Sequence, residues 1–241
     1  MRTLVKSLWR GLSTLCFPPH CAACHADIER HATLCEACLA LPEKIESPYC
    51  QRCSQPFHGA ITEAFTCSNC EGRELHFECA IAPYLHRGVV RGLIHSFKYE
   101  QQLYLRKQLA DWIAIALDDP RLRAQPPDAF VPVPLHHIRF REREFNQAAE
   151  LANLLTRRTG TPTWHALKRI RYTSTQTKLD RNERMENLRG AFRVRQTSRV
   201  KKSHLVLIDD VFTTGSTVEE CSRVLLRAGA ASVRVLTIAR G

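Results

Sequence analysis

Two adjacent carboxylates, Asp209 and Asp210, follow an apolar run at residues 205–208, and Thr213, Thr214, Gly215, Ser216 and Thr217 come soon after them. Ionised carboxylates only accept hydrogen bonds, so the pair suits the two O–H donors of a vicinal diol, or a divalent cation. The hydroxyls and free main-chain N–H groups of the following turn suit an anion instead, with phosphate the natural guest. A diol at one end of a short segment and a phosphate at the other describe a ribose 5-phosphate.

A second group of reactive side chains lies far away in the chain. Eight cysteines form four C-x-x-C pairs: Cys21 with Cys24, Cys35 with Cys38, Cys50 with Cys53, and Cys67 with Cys70. Two thiolates on one tight knuckle can face a single tetrahedral Zn²⁺, and two knuckles complete a four-sulfur site. Consecutive pairing gives one site from Cys21, Cys24, Cys35 and Cys38 and another from Cys50, Cys53, Cys67 and Cys70. Interleaved pairing is the alternative. Disulfides are the rival chemistry, but no small-residue cleavage site follows the amphipathic stretch at residues 4–15, so a reducing, cytoplasmic setting is expected. No open ligand position or general base accompanies the cysteines, so both sites read as structural. Cys16, Cys79 and Cys221 are left as buried thiols, and His20 as a surface imidazole.

These groups need elements to hold them. Residues 205–208 have the apolar continuity of a strand buried on both faces. From Thr217, Val218, Cys221, Val224, Leu225 and Ala228 recur at helical spacing until Gly229 supplies a stop. The hydroxyl-rich turn therefore falls at a helix N-terminus, where orphan N–H groups and the helix dipole favour an anion. Threonine and serine caps alone would explain the turn, but not an acid pair at the end of a strand.

Upstream, residues 79–85 read as a short strand and residues 89–97 as a helix ending near Lys98. Leu105, Leu109, Trp112, Ile113, Ala116 and Leu117 line one face of a second helix that Pro120 should stop. Residues 119–128, with three prolines, read as a surface connection, and residues 129–133 as another strand. A loop carrying Arg139, Arg141 and Arg143 is then expected before a helix near Asn146, a second place for an anion. One more strand is expected over residues 232–239.

The segment LVLIDDVFTTGST at residues 205–217 resembles the phosphoribosyl-pyrophosphate signature of type I phosphoribosyltransferases. With the cysteine pairs, Phe97-Lys98-Tyr99, Pro132-Val133-Pro134 and Phe145-Asn146-Gln147, nearly the whole chain resembles the ComF family, also described as GntX-like. The resemblance implies an α/β fold with a mainly parallel sheet at residues 79–241. Before it would come an N-terminal helix and a small double zinc-ribbon module at residues 1–78. It assigns the ribose hydroxyls to Asp209 and Asp210, the 5-phosphate to Thr213, Thr214, Gly215, Ser216 and Thr217, and the pyrophosphate to a loop around residues 135–139. Arg139, Arg143 and Lys98 would then join the ligand, with Mg²⁺. Residues 168–192 resemble a hood over the site, with Arg169, Gln176 or Arg184 near the reacting centre when closed; a helix near residues 178–187 is the other reading. Family members usually carry Gly before Phe-Asn-Gln, where this chain has Glu144.

The formal net charge is +11, and between His136 and Lys202 seventeen Lys or Arg face six Asp or Glu, which favours polyanionic partners. No aromatic stacking platform is discernible in that tract. Neither G-x-G-x-x-G nor G-x-x-x-x-G-K-[ST] occurs, and no apolar run is long enough to span a membrane. Two functions follow from the resemblance. One is a factor in DNA uptake, for natural transformation or nutrition, that binds phosphoribosyl pyrophosphate and works beside single-stranded DNA and the uptake machinery. The other is an active phosphoribosyltransferase on a nucleobase or amine acceptor. There, Asp209 and Asp210 would position the ribose as C1 becomes cationic, and Mg²⁺ with Arg139 or Lys98 would steady the departing pyrophosphate.

Overall fold

The computed structural model describes residues 19–57, 59, 64–172, 181–195 and 197–241. The amphipathic stretch at residues 4–15, Cys16 and Gln176 lie outside the described residues.

The elements run α1 (Glu36–Ala40), β1 (Ala80–Ile81), β2 (Tyr84–Leu85), α2 (Gly88–Tyr99), α3 (Arg106–Ala114), α4 (Pro120–Arg123), β3 (Ala129–Pro132), α5 (His137–Arg143) and α6 (Gln147–Thr159). After them come β4 (Leu167–Arg169), α7 (Arg181–Leu188), β5 (Phe192–Val194), α8 (Thr197–Val200), β6 (His204–Ile208), β7 (Val211–Phe212), α9 (Ser216–Arg227), β8 (Ser232–Leu236) and β9 (Ala239–Arg240). Short 3₁₀ turns flank α3 at Leu103–Leu105 and Ile115–Asp118.

The main sheet has the order β1-β8-β6-β3 and is parallel throughout, as expected for an α/β fold. A second parallel sheet, β2-β9-β7, repeats the order of the first three strands. Only two residues separate β1 from β2, β6 from β7, and β8 from β9, so the second sheet continues three strands of the first past a shared break. Asp209 and Asp210 are the break between β6 and β7. The Asp209 N–H donates to the Leu236 carbonyl at 3.1 Å, and the Asp210 carbonyl accepts from the Ile238 N–H at 3.0 Å, so neighbouring chain holds the break open.

Alternate residues of β6 feed two cores, as the period of a strand requires. Val206 and Ile208 pack with α2, α3 and α6, and Leu205 and Leu207 pack with Val218, Cys221 and Leu225 of α9. The cysteine regions share these cores. Cys21, Leu34 and Cys38 belong to the first cluster; Cys50, Cys53, Cys70 and Phe77 belong to the second.

Two expectations change. Residues 119–128 are not simply a surface connection, because Pro120 begins a helical turn instead of ending one, which its missing N–H and fixed φ allow. Asp119 caps that turn by accepting from the Arg121 N–H at 2.9 Å, Leu122 is buried, and Arg234 reaches across from β8 to the Leu122 carbonyl at 2.7 Å. The loop expected to carry three arginines is the helix α5. His136 caps it, with Nδ1 accepting from the Ile138 N–H at 3.4 Å, and none of its residues is buried, so no apolar stripe announced it.

Candidate functional site

The acid pair, the turn after β7, α5 and the start of α6 surround one cavity of about 290 Å³. Its lining includes Lys98, Arg139, Arg143, Asp209, Asp210, Thr213 and Thr217. The folded chain thus gathers groups separated by more than a hundred residues. Thr214, Gly215 and Ser216 line an adjoining cradle of about 40 Å³ together with Asp209, Thr213 and Thr217.

Asp210 is buried and paired with Lys98, whose Nζ lies 2.7 Å from Oδ2. Asp209 has no such partner among the described residues; its Oδ1 accepts the Asp210 N–H at 2.9 Å. Burial and then the charge of Asp210 push the Asp209 carboxyl up to about 7, against the pull of Lys98, that N–H and Arg143. The pair therefore shares one resident cation and has spare lone pairs facing the cavity. Carboxylate oxygens of this kind fit a hard divalent ion or hydroxyl donors.

Gly215 caps α9 with φ at 77°, and a Cβ there would stand 2.5 Å from Cζ of Phe212. Both the left-handed backbone and the ring beneath it demand glycine. Thr214 Oγ1 and Ser216 Oγ are 2.9 Å apart, so the two hydroxyls lean on each other across the turn.

Helical geometry sorts the arginines. Residues 139 and 143 share a face of α5 and line the cavity, whereas Arg141, between them, is exposed and takes no part in the lining. Arg139 pairs with Glu142 at 2.8 Å, and Arg143 donates to Gln147 Oε1 at 3.1 Å while its guanidinium stacks over Tyr99. Glu144 ends α5 at a φ of 65°, which explains a glycine preference at this position, and it is exposed, so its charge stays outside the site.

Several lining residues had no ligand role assigned from the sequence. Asn146 caps α6 by accepting from the Ala148 N–H at 3.0 Å and ties back to the Val133 carbonyl. Gln147 is 2 % exposed, and its Nε2 has no partner among the described residues, an orphaned donor beside the cavity. His136 and Tyr172 form an aromatic edge with ring centroids 5.2 Å apart. Tyr99, Phe140 and Tyr172 are all exposed, and with Arg143 stacked over Tyr99 and Tyr172 against His136, rings from separate stretches stand beside the basic tract. Of the hood residues, Arg169 lines the cavity at the end of β4, and Arg184 falls within α7.

The cysteines settle into consecutive tetrads. The sulfurs of Cys21, Cys24, Cys35 and Cys38 lie within 4.8 Å of one another, as do those of Cys50, Cys53, Cys67 and Cys70. The Cys35 N–H points at Cys21 Sγ at 3.4 Å, and the Cys67 N–H at Cys50 Sγ at 3.2 Å, the donors a thiolate prefers. Four sulfurs so placed fit tetrahedral Zn²⁺. His20 pairs with Asp27 at the surface and is not among these ligands. No described helix is long and apolar enough to cross a membrane.

The chain is similar to known proteins. Residues 12–71 match the double zinc ribbon domain, and residues 146–241 match the phosphoribosyl transferase domain. Competence protein F of Haemophilus influenzae is 30% identical over 91% of this chain and 96% of its own length. The DNA utilization protein YhgH of Escherichia coli is 32% identical over 95% and 97%, and competence protein ComFC of Bacillus subtilis 27% over 86% and 84%. With both domains in the order that its cysteine pairs and acid-pair loop led one to expect, and with this likeness running almost end to end, the chain belongs to the ComF/GntX-like family.

Proposed function

We propose that this protein serves DNA uptake and that its cavity binds phosphoribosyl pyrophosphate with Mg²⁺. Relatives named for competence and DNA utilization support the first part. One observation carries the second: an acid pair and a hydroxyl turn, at opposite ends of β7, open beside guanidiniums of α5. In this reading Asp209 and Asp210 take the ribose hydroxyls, residues 213–217 take the 5-phosphate, and Arg139, Arg143 and Lys98 take the pyrophosphate side. Gln147 Nε2 supplies a donor to an oxygen of the ligand. Mg²⁺, when bound, spreads the pyrophosphate charge. Each cysteine tetrad holds one structural Zn²⁺, with residues 1–78 as the ribbon module, residues 79–241 as the ligand-binding domain, and the reducing cytoplasm as the setting.

Calorimetric titration with phosphoribosyl pyrophosphate and Mg²⁺ tests the pocket. The protein binds, and Asp209→Ala with Asp210→Ala abolishes the heat; wild-type protein giving no heat ends the reading. A second reading, an active transferase, is favoured by Arg169 and Tyr172 of the hood region reaching the cavity. It requires pyrophosphate release that depends on an added base or amine, and binding without release leaves the uptake role alone. Single-stranded DNA is the macromolecular partner in this proposal, and exposed Tyr99, Phe140 and Tyr172 among arginines suit stacked bases. Its binding should weaken steeply with salt.

A further inference from the structure

The second cysteine tetrad and the hydroxyl turn are joined by an unbroken series of contacts. Arg52 sits inside the knuckle between Cys50 and Cys53, and its Nη2 donates to the carbonyls of Leu75 at 3.3 Å and Phe77 at 2.9 Å. That grip fixes residues 75–77, which then make two contacts with the far side of the turn. His76 gives its main-chain N–H to Glu219 Oε2 at 3.0 Å and places its ring Nδ1 2.5 Å from Oε1. The Phe77 ring packs edge-on against Phe212 at 5.9 Å, and Phe212 is the ring directly beneath Gly215.

Glu219 is only 7 % exposed and lies in the first turn of α9. A carboxylate there would repel an anion at the helix N-terminus unless it were bound elsewhere. His76 binds it. The next residue, Glu220, accepts the Gly190 N–H at 2.7 Å, so the same helical turn also anchors the chain entering β5.

We propose that Arg52, His76, Phe77 and Glu219 are positioning residues through which metal at Cys50, Cys53, Cys67 and Cys70 holds the Thr213–Thr217 turn in its ligand-binding shape. This rests on the ribose-phosphate reading of that turn. Because linkage is reciprocal for binding equilibria, ligand on the turn must tighten zinc at the second tetrad by the factor that zinc tightens ligand.

The test uses the full chain loaded with two zinc ions and ribose 5-phosphate as the probe. In equilibrium competition against a chelator, saturating ribose 5-phosphate should raise the zinc affinity of one site by about fivefold or more and leave the other unchanged. Arg52→Met and Glu219→Gln, each checked for two zinc ions and an unchanged melting profile, should weaken ribose 5-phosphate by a similar factor and remove the zinc effect. Asp27→Ala, in the first ribbon, should do neither. If wild-type protein binds the probe while both zinc affinities stay fixed, or if the two-zinc variants bind it like wild type, the strut is refuted and the ligand reading stands. Failure of wild-type protein to bind the probe refutes both.

Discussion

The two cysteine tetrads share a spacing rule but sit in different surroundings. In the first, Cys24 is exposed and Cys35 half-buried, and its inner members join the core that carries α2, and with it Lys98. In the second, Cys50, Cys53 and Cys70 are all buried in the core beneath α9, and the chain that leaves them supports the hydroxyl turn. Each ribbon therefore backs a different end of the same cavity. Because metal binding is coupled to folding, the two identical ligand sets are expected to support different amounts of apolar packing.

The largest expected difference comes from breaking each tetrad once. Cys50→Ser should lose one zinc ion and lower the melting temperature by roughly 10 °C or more, at about 2–4 °C per kcal/mol for a chain of this size. Cys24→Ser should lose one zinc ion with a clearly smaller shift. Equal shifts, read by native mass spectrometry and thermal denaturation, would erase the distinction between the two environments.

Gly215→Ala comes next and acts on the end backed by the second tetrad. It forces a Cβ against Phe212 at a positive φ, so the turn should distort at a cost of about 1–3 kcal/mol. Phosphate-ester binding should fall by about tenfold or more if that cost falls on the bound form. A variant that keeps wild-type affinity would show that the turn is not the anion site.

At the other end, the acid pair should respond to pH. Burial pushes the native Asp209 carboxyl up to about 7, above the ordinary carboxylate range. Between that range and about pH 7 the native state holds a proton that the unfolded chain has lost. This group's stability is thus fully present at low pH and is lost as pH rises through about 7. Asp209→Asn should raise stability in urea melts at about pH 8 and have little effect near pH 4. Lys98→Met should push the Asp209 carboxyl higher still, visible by NMR titration, because the cation that opposes the rise has gone.

The smallest effect is expected at Glu144. Replacing it with glycine relieves a left-handed residue by about 1 kcal/mol and, because the side chain is exposed, should leave ligand affinity unchanged. A large change in affinity would mean that Glu144 reaches the ligand.

Much of this was legible in particular residues. The apolar run at residues 205–208 gave β6, and the period from Val218 to Leu225 gave α9, because burial writes itself into spacing. The helix α5 was not legible, since HIRFRER buries nothing and is fixed by the His136 cap and its neighbours. For the same reason the choice between Arg139, Arg141 and Arg143 was invisible until a helix replaced the expected loop. His136 and Tyr172 gave no signal, because single aromatics become a site only when distant segments bring them together.

The order of residues alone determined the donors: eight thiols in pairs, two adjacent acids, and a hydroxyl turn opening a helix. These follow from side-chain chemistry and from spacings of a few residues, which short-range backbone geometry fixes. Only the tertiary structure decided that the thiols pair consecutively, that the tetrads join opposite cores, that Lys98 neutralises Asp210, and that two of three arginines face the cavity. Those outcomes depend on contacts between remote segments, where packing of the whole core selects among arrangements that local sequence leaves equal.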